Sequence, residues 1–354
     1  MNSNKRTARL WSSRDIVVIP AAADDSRATI HRSLCCMGCC LVVALTLLNL
    51  TSCDMGPGHA SVYTPVANLV FADSVLQECV VQQARQNGWR ESGLVTALDC
   101  TNPQSMGIEN LSGIENLVNL ERLVLAHNRI SDMLPINRLD KLSQLDLSFN
   151  ELSLVVLENV RVTLVSLNLD NNVLISSDSL NELKNLRSLS LSHNAIEDLT
   201  PLHTLTHLHQ LNIADNGIST LNAMDSFPLL EELDISNNKI ADVSALAPLK
   251  KLLILRLRAN NLAQLEQLDE LSNLIEIDLS ENALTDITVL AQLHKLTRIQ
   301  LEDNSLSDVS PLGNLGSVDV INLRGNPDVS CEAITRLETT LGPDVVQFDD
   351  RCSQ

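Results

Sequence analysis

Leucine and isoleucine recur along the chain in a pattern of hydrophobic and polar positions that repeats at a constant interval. Each unit contains the frame Leu-x-Leu-x-x-Asn, in which isoleucine sometimes replaces leucine, as in residues 123–128 and 145–150. Alternation of apolar and polar positions around the two leucines predicts a β-strand with one buried face. A fixed period of about 22 residues is typical of a solenoid, in which each unit packs only against its neighbours.

An asparagine ends each of these frames, always one period after the asparagine before it. The chain turns off the strand at this position, so the side-chain amide can bond backbone groups of its own turn and of the adjacent repeat. We interpret this set, called the asparagine ladder below, as structural rather than functional. Its members are Asn128, Asn150, Asn172, Asn194, Asn216, Asn238, Asn260, Asn282, Asn304 and Asn326.

The second half of several units carries an aspartate in phase, and leucines then return at three-residue spacing. A segment of about six or seven residues favours a short 3₁₀ turn over a full helix. Aspartate at a turn commonly bonds its own backbone, so we expect structural aspartates here rather than a calcium site. The aspartates in phase are Asp132, Asp198, Asp242, Asp286 and Asp308.

These units, with their Asn-x-Ile-x-Asp-Leu/Val segment and Pro-Leu pair, resemble the internalin-like class of bacterial leucine-rich-repeat proteins over residues 98–330. The resemblance implies an α/β solenoid, a right-handed superhelix with a parallel β-sheet on its concave face and short 3₁₀ turns on its convex face. Ten repeat strands would span roughly 45 Å. The resemblance also implies recognition of a protein, for example on another cell.

The second repeat departs from the pattern. Glu158 and Arg161 occupy positions that are apolar in other repeats, while Leu157 and Val160 are displaced by one residue. We therefore expect a locally irregular convex segment, which would represent either tolerated drift in a surface layer or a functional bulge.

Both ends are expected to carry caps, because an open stack exposes a leucine face and a sheet edge. Residues 69–119 are predicted to form an N-terminal cap and a degenerate first repeat with three extra residues. Within them, Ser74 and Gln77 form a capping box that opens a helix, and Gly88 ends it. The buried stripe of this helix is predicted to be Leu76, Val80 and Ala84.

Residues 120–326 are predicted to form the leucine-rich repeats, and residues 327–354 the C-terminal cap. Asp328 stands where every earlier repeat has isoleucine or leucine, so the repeat ends there. Ser330 can start a helix that a Gly-Pro pair terminates at Gly342. Its apolar side chains are Ile334, Leu337 and Leu341.

An apolar, uncharged run over residues 34–50 has about the length of a signal peptide. The following Leu-Thr-Ser-Cys sequence resembles the bacterial lipobox. The resemblance implies that residues 1–52, a signal and lead region, are removed, that Cys53 carries a lipid, and that residues 53–68 are a lipid-anchored linker. An uncleaved transmembrane anchor with an incidental cysteine is the alternative. We expect a membrane-anchored lipoprotein of the bacterial cell envelope, periplasmic or at the cell surface.

The lipobox also accounts for the odd count of nine cysteines. Four lie in the removed region and Cys53 takes the lipid, which leaves one pair near each end of the stack. Pairing across the stack would join distant residues, so the disulfides Cys79–Cys100 and Cys331–Cys352 are favoured over the other two connectivities. The same distance, and the lack of Cys-x-x-Cys spacing in the mature chain, disfavours a zinc site. Disulfides require an oxidising compartment, in agreement with export.

The formal net charge of −19 argues against a nucleic-acid partner, which is bound by clustered lysine and arginine. Such acidity favours basic protein partners, or is simply a solvated surface. The sequence contains no nucleophile elbow, phosphate-binding loop or metal-ligand frame. We therefore predict a non-catalytic, monomeric protein that binds another protein without cofactor or metal.

Small and polar residues dominate the strand positions that should line the concave face. One group of charged residues of both signs is the exception. Arg256 and Arg258 point outward from one predicted strand, with acidic residues on the two flanking strands. These side chains either form cross-strand ion pairs of little energetic value or a recognition patch. If they form a recognition patch, reversing both arginine charges should abolish partner capture with stability nearly unchanged. We call the six residues the charged patch: Glu232, Asp234, Arg256, Arg258, Glu276 and Asp278.

The sequence also fits other functions. The chain contains few aromatic residues, which commonly anchor interfaces. The alternatives to recognition of a partner on the concave face are an envelope scaffold or an adhesin-like surface protein. The scarcity of aromatic residues weakens the adhesin-like role, so an envelope scaffold is comparably consistent with the sequence. A non-catalytic subunit of an enzyme complex is a further alternative.

Overall fold

Residues 63–102, 107–349 and 352 are described by a computed structural model. Among these residues, twelve short strands form one parallel sheet in strict chain order. The strands are β1 Ala97–Asp99, β2 Arg122–Val124, β3 Gln144–Asp146, β4 Ser166–Asn168, β5 Ser188–Ser190, β6 Gln210–Asn212, β7 Glu232–Asp234, β8 Ile254–Arg256, β9 Glu276–Asp278, β10 Arg298–Gln300, β11 Val320–Asn322 and β12 Val346–Gln347.

The register of the sheet follows the sequence period. Leu123 of β2 pairs with Leu145 of β3, which lies one period further along the chain, and the same step holds through β11. The partner of Leu123 on β1 is Leu98, whereas one period before Leu123 lies Thr101. Leu98 precedes that position by three residues, the offset that three extra residues in the first repeat would produce.

The core is a single column of aliphatic side chains that runs through all the repeats. The middle residue of each repeat strand is buried, as at Leu123 and Leu255, because successive strand side chains point to opposite faces. Each fully buried leucine contributes on the order of 1.5–3 kcal/mol. The fully buried Phe227 occupies a position where the neighbouring repeats have Leu205 and Leu249. This core position therefore accepts either an aromatic or an aliphatic side chain.

Short 3₁₀ turns form the convex side, as predicted. The aspartates in phase cap them: Oδ1 of Asp198 accepts the backbone N–H of Thr200 at 2.8 Å, and Asp242 does the same for Ser244. The turns are Ile114–Asn116, Leu134–Arg138, Val160–Val162, Asp178–Leu180, Thr200–Thr204, Met224–Ser226, Ser244–Leu246, Leu268–Glu270, Thr288–Gln292 and Ser310–Asn314.

The convex turn of the second repeat is displaced, as the sequence predicts. The turn of the preceding repeat begins at Leu134, and one period later lies Val156, but the turn of the second repeat begins only at Val160. Leu157 and Val160 are buried, whereas Glu158 is exposed. The amide of Asn137 in the preceding repeat donates to the carbonyl of Val156 at 2.9 Å and so satisfies backbone in the displaced segment.

The N-terminal cap contains helix α1, Ser74–Asn87, which Gly88 ends in the left-handed conformation. The prediction that Ser74 is the N-cap residue is wrong by one position. Asp73 is the N-cap, because its carboxylate accepts the N–H groups of Val75 and Leu76. Burial acts to raise the pKa of Asp73, but hydrogen bonds from four backbone N–H groups outweigh it and lower that pKa.

Asp73 also joins the cap to the first repeat, which a serine hydroxyl could not do. Its Oδ2 accepts the N–H groups of Glu109 at 2.9 Å and Asn110 at 3.3 Å. Gln77 accepts the N–H of Phe71 rather than that of the N-cap residue. The predicted stripe of Leu76, Val80 and Ala84 is buried.

Both predicted disulfides are present, with Cα–Cα distances of 5.8 Å for Cys79–Cys100 and 5.2 Å for Cys331–Cys352. Helix α2, Cys331–Leu341, starts at Ser330, whose hydroxyl accepts the N–H of Ala333. Strand β12 was not predicted. It follows α2 and covers the edge of β11, so the chain closes the sheet with its own backbone.

The apolar run 34–50, the lipobox and Cys53 lie outside the described residues. Among the residues that are described, no helix combines the length and the apolar character that crossing a membrane requires.

Candidate functional site

The exposed side of the sheet is the candidate site, because its side chains point away from the leucine core. Each repeat presents the first and third strand residues and, two residues further on, a turn-side residue. The residue before each ladder asparagine then adopts a left-handed conformation. This αL column, with φ between 53° and 70°, consists of His127, Phe149, Asn171, His193, Asp215, Asn237, Ala259, Glu281, Asp303 and Gly325.

The ladder asparagines lie behind this surface and bind backbone in two repeats at once. The Oδ1 atom of Asn150 accepts the N–H of Ile130 in the preceding repeat at 2.9 Å. Its Nδ2 atom donates to the carbonyls of Leu125, Leu147 and Ser148. The same arrangement recurs from Asn128 to Asn326. These side chains are buried or half-buried, so they set the spacing of the repeats rather than the binding surface.

Aspartates and asparagines at the third strand position also serve the fold. In each case Oδ1 accepts the backbone N–H two residues further along, at 2.9 Å from Asp146 to Ser148 and 3.0 Å from Asp278 to Ser280. From the sequence, these residues were predicted to be variable surface positions, and the hydrogen bond to the turn was not predicted. The signal was an Asp or Asn two residues before a turn position. The residues that share this bond are Asp99, Asp146, Asn168, Asn212, Asp234, Asp278 and Asn322.

Arg256 occupies the third strand position of β8, where its guanidinium cannot accept a turn bond. It pairs instead with Glu232 on β7 at 2.7 Å and with Glu276 on β9 at 3.3 Å. Glu276 also pairs with Arg298 on β10 at 3.4 Å. Charges therefore alternate across four neighbouring strands, which brings Glu232, Arg256 and Glu276 of the charged patch into one network.

Arg258 lies nearer the turns and pairs with Glu281, a member of the αL column, and with Glu302 at 3.9 Å. The sequence singled out Arg258 but neither of these partners. Glu281 lies one repeat away and one residue further along the unit, and Glu302 holds the position of Arg258 two repeats away. Asp234 and Asp278 flank the arginines but retain their turn bonds. The six predicted residues are thus neighbours, while their ion pairs extend beyond them.

Burial shapes the electrostatics of the charged patch. It raises the pKa of Asp234, although the hydrogen bonds from Ser236 and the charge of Arg256 act in the opposite direction. Burial also acts to lower the pKa of Arg256, but its carboxylate partners more than compensate and raise that pKa. Arg256 is only 27% exposed, so reversing its charge would place three carboxylates together and destabilise the fold. The expectation of nearly unchanged stability therefore applies better to Arg258, which is 40% exposed.

Comparison with known proteins agrees with this geometry. The family model described as "Leucine Rich repeats (2 copies)" matches residues 184–226, and the one described as "Leucine Rich repeat" matches residues 228–247. The chain contains leucine-rich repeats and has the fold of a leucine-rich-repeat solenoid. No curated protein sequence matches it.

Solved structures share the fold of this solenoid. An internalin (inlF) from Listeria monocytogenes is 24% identical with a TM-score of 0.66, over 83% of this chain and 95% of that one. The functional domain of InlJ from Listeria monocytogenes is 21% identical with a TM-score of 0.58, over 75% and 70% of the two chains. The ectodomain of a plant receptor kinase from Arabidopsis thaliana is 24% identical with a TM-score of 0.50, over 72% and 36%.

Asp170 is a buried carboxylate on the concave face that the sequence did not single out. The side chain of Ser190 on the next strand is too short to make the turn bond. Oδ1 of Asp170 replaces it by accepting the N–H of Ser192 at 2.7 Å and the hydroxyl of Ser190 at 2.6 Å. Burial raises the pKa of Asp170 despite these bonds, and the nearby charge of Asp146 adds to the effect.

Two substitutions at Asp170 should have opposite effects. Asp170→Asn keeps an acceptor for Ser192 and removes a buried charge, so at pH 7 it should leave the free energy of unfolding unchanged or raise it by up to about 1 kcal/mol. Asp170→Ala leaves the N–H of Ser192 without its acceptor and should lower that free energy by roughly 2 kcal/mol. Urea unfolding of both variants measures the difference.

The pH dependence provides a second check on Asp170. Its pKa is higher in the folded than in the unfolded protein, so its charge opposes folding at neutral pH. That penalty disappears as the pH falls through the folded-state pKa. Any advantage of Asp170→Asn over the unmodified protein should therefore shrink between pH 7 and pH 4. An advantage that grows with acidity would contradict this assignment.

Among the described residues, no group of three or more histidine, cysteine, aspartate or glutamate side chains is arranged to hold a metal ion. His193 pairs with Asp215 at 3.4 Å within the αL column, a contact between two exposed or half-exposed side chains. The concave face presents a polar surface on which acidic residues and arginines stand among small and uncharged side chains.

Proposed function

We propose that this leucine-rich-repeat protein binds another protein on its concave face without catalysing a reaction, and that the charged patch is part of the contact. The observation that carries the proposal is Arg256. In seven other repeats the third strand residue makes the bond that stabilises the turn. Arg256 cannot make that bond, and its guanidinium lies instead between Glu232 and Glu276. A pre-positioned arginine among carboxylates suits recognition of polar and charged groups.

The fold supports the same proposal. Leucine-rich-repeat proteins are generally binding scaffolds rather than enzymes, and the Arabidopsis receptor ectodomain was solved in complex with CASPARIAN STRIP INTEGRITY FACTOR 2. In this protein the exposed strand residues are separate from the leucine core, so those that make no turn bond can vary without loss of the fold. A basic partner would complement the acidic surface.

We further propose that the protein is a lipoprotein of the bacterial cell envelope, anchored through Cys53. The lipobox-like residues 50–53 and the two disulfides support export to an oxidising compartment. Metabolic labelling with a radioactive or clickable fatty acid tests the anchor. Label should be incorporated into the protein and lost in Cys53→Ser, and incorporation that persists in this variant would place the lipid elsewhere.

A capture experiment tests the binding surface. The protein and its Arg258→Glu variant are crosslinked in intact cells, and the bound proteins are purified and quantified. Reversal of Arg258 places a carboxylate against Glu281 and Glu302, so capture of a specific partner should fall by roughly 30-fold, the effect of losing one interface hot spot. Thermal stability should change little.

Arg336→Glu provides the matched control. Arg336 is also an exposed, ion-paired arginine, but it lies on helix α2 of the C-terminal cap, where it pairs with Glu332. This variant should capture the partner as well as the unmodified protein. Equal capture by all three proteins would rule out the charged patch as the contact.

A further inference from the structure

Exposed apolar side chains cluster between the asparagine ladder and the convex turns in the repeats of β2, β3 and β4. They are 54% to 74% exposed, whereas among the described residues beyond Ile175 the only exposed large apolar side chain is Ile275. Clustered exposed apolar surface commonly marks a site of interaction. We call these residues the apolar patch: Leu134, Leu154, Val173 and Ile175.

Hydrogen bonds hold the segments that carry the apolar patch side by side. The N–H of Val173 donates to the carbonyl of Leu152 at 3.0 Å, which aligns the segments that follow two successive ladder asparagines. One repeat earlier, the amide of Asn137 donates to the carbonyl of Val156 at 2.9 Å. The half-buried Val156 holds the position of Leu134 one period later. The four residues of the patch therefore lie on neighbouring segments of three consecutive repeats.

The fold does not require apolar residues at these positions. Leu154 stands where Asp132 and Asp198 cap the convex turns of their repeats, and its side chain cannot accept that hydrogen bond. Ile175 stands where the two adjacent repeats have a serine and a glutamate. None of the four side chains belongs to the leucine core. A contact with another molecule accounts for the patch, whereas the packing of the solenoid does not.

The surroundings of the apolar patch are acidic. The segments 129–136, 151–158, 173–180 and 195–202 contain six carboxylates but only one lysine or arginine, which is Arg129. Arg129 pairs with Glu109 at 3.4 Å, whereas none of the six carboxylates forms an ion pair with a described residue. The six are Asp132, Glu151, Glu158, Asp178, Glu197 and Asp198.

We propose that the apolar patch docks an amphipathic, basic segment of a partner protein. The carboxylates would repel an anionic lipid surface, and a second copy of the chain would bring like charges together. A segment whose apolar residues are flanked by lysine or arginine would instead cover the patch and neutralise the carboxylates around it. This surface lies outside the concave face, so the proposal goes beyond the function proposed above and does not depend on the charged patch.

The probe is a fluorescently labelled amphipathic peptide, acetyl-Leu-Lys-Lys-Leu-Leu-Lys-Leu-Leu-Lys-Lys-Leu-Leu-Lys-Leu-amide, whose binding to the purified full-length protein is measured by fluorescence anisotropy. The triple variant combines Leu154→Ser, Val173→Ala and Ile175→Ser, each the residue of an adjacent repeat at that position. It keeps the net charge and the core. Its affinity for the peptide should therefore fall roughly tenfold, because apolar contact is lost, while its melting temperature is unchanged.

Matched variants control for apolar surface and for charge. Ile275→Thr removes an exposed apolar side chain far from the patch and should leave the affinity unchanged. Glu151→Gln combined with Glu197→Gln should weaken binding roughly fivefold, because two carboxylates beside the patch lose their charge. Glu266→Gln combined with Asp319→Asn removes the same charge from exposed positions elsewhere and should weaken binding less.

Three outcomes would overturn the proposal. The first is an unchanged affinity for the peptide in the triple variant. The second is co-sedimentation of the Cys53→Ser protein with phosphatidylglycerol vesicles that the triple substitution abolishes, which would assign the patch to lipid. The third is self-association in sedimentation velocity that the triple substitution abolishes, which would assign it to a second copy.

The outcome is separable from that of the concave face. Arg258→Glu should bind the peptide as well as the unmodified protein does. If Arg258→Glu reduces capture of a partner while the triple variant still binds the peptide fully, the concave face binds a protein and only the docking patch is wrong.

Discussion

Replacing Asn238 by alanine should lower the free energy of unfolding by about 3 kcal/mol. Its Oδ1 atom accepts the N–H of Ile218 at 3.0 Å, and its Nδ2 atom donates to the carbonyls of Ile213, Ile235 and Ser236. Asn238 is only 8% exposed, so water cannot replace these bonds without opening the stack. The substitution therefore leaves backbone groups in two repeats without their hydrogen-bond partners. Urea unfolding followed by circular dichroism measures it.

Asn261→Ala is the control for this experiment. Asn261 is also an asparagine in the repeats, but it lies one residue beyond the ladder and its side chain is exposed. The control should change the free energy of unfolding by less than about 0.5 kcal/mol. A loss below about 1 kcal/mol for Asn238→Ala would mean that the ladder amides contribute much less than their buried hydrogen bonds imply.

Removal of the Cys331–Cys352 disulfide should have an effect of similar size. Its sulfurs join residues 21 positions apart, and a closed loop of this length stabilises the folded chain by roughly 3 kcal/mol, mainly by restricting the unfolded chain. The bond also ties the segment that follows β12 to the start of α2. We expect the double variant Cys331→Ser, Cys352→Ser to open first at its C-terminal end.

Hydrogen exchange can locate this opening. The N–H groups of Ile321 and Leu323 donate to the carbonyls of Val345 and Gln347, each at 2.8 Å, so they are protected only while β12 is in place. Their exchange should accelerate by roughly 100-fold in the double variant if the local stability falls by about 3 kcal/mol. The N–H of Leu125 in β2's repeat should be unaffected, because each repeat contacts only its neighbours.

Removing Cys79 and Cys100 instead provides the reciprocal control. That variant should accelerate exchange near β1 and leave Ile321 and Leu323 protected. If both disulfide variants accelerated exchange equally at both ends, the solenoid would unfold as one cooperative unit, and the argument for local opening would be wrong.

The repeat architecture could be predicted in detail because one spacing sets many contacts. One period along the chain places Leu145 beside Leu123, and the same step then places every later repeat strand. The disulfides followed because each pair lies at one end of such a stack. The three extra residues in the first repeat were also visible, since only an insertion could bring Leu98 beside Leu123.

Local polar chemistry was harder to predict. Ser74 and Asp73 both suit an N-cap, and Asp73 takes this position because its second oxygen also binds the distant backbone of Glu109. Strand β12 escaped prediction because Val346–Gln347 is too short to show any alternation. The left-handed conformation of Phe149 has no signature in its own residue type, and only its place before a ladder asparagine could have indicated it.

The sequence by itself therefore determined the order of the strands, their register and the leucine interior, because burial of an alternating pattern allows one register and a constant period repeats it. The tertiary structure decided which polar side chains form ion pairs or hydrogen bonds within the molecule. Arg256 is held by two glutamates and Asp170 accepts hydrogen bonds from a neighbouring strand, whereas Asp146 accepts its bonds from its own turn. Such differences depend on which donors and acceptors lie within hydrogen-bonding distance on adjacent strands, a property that spacing along the chain does not carry.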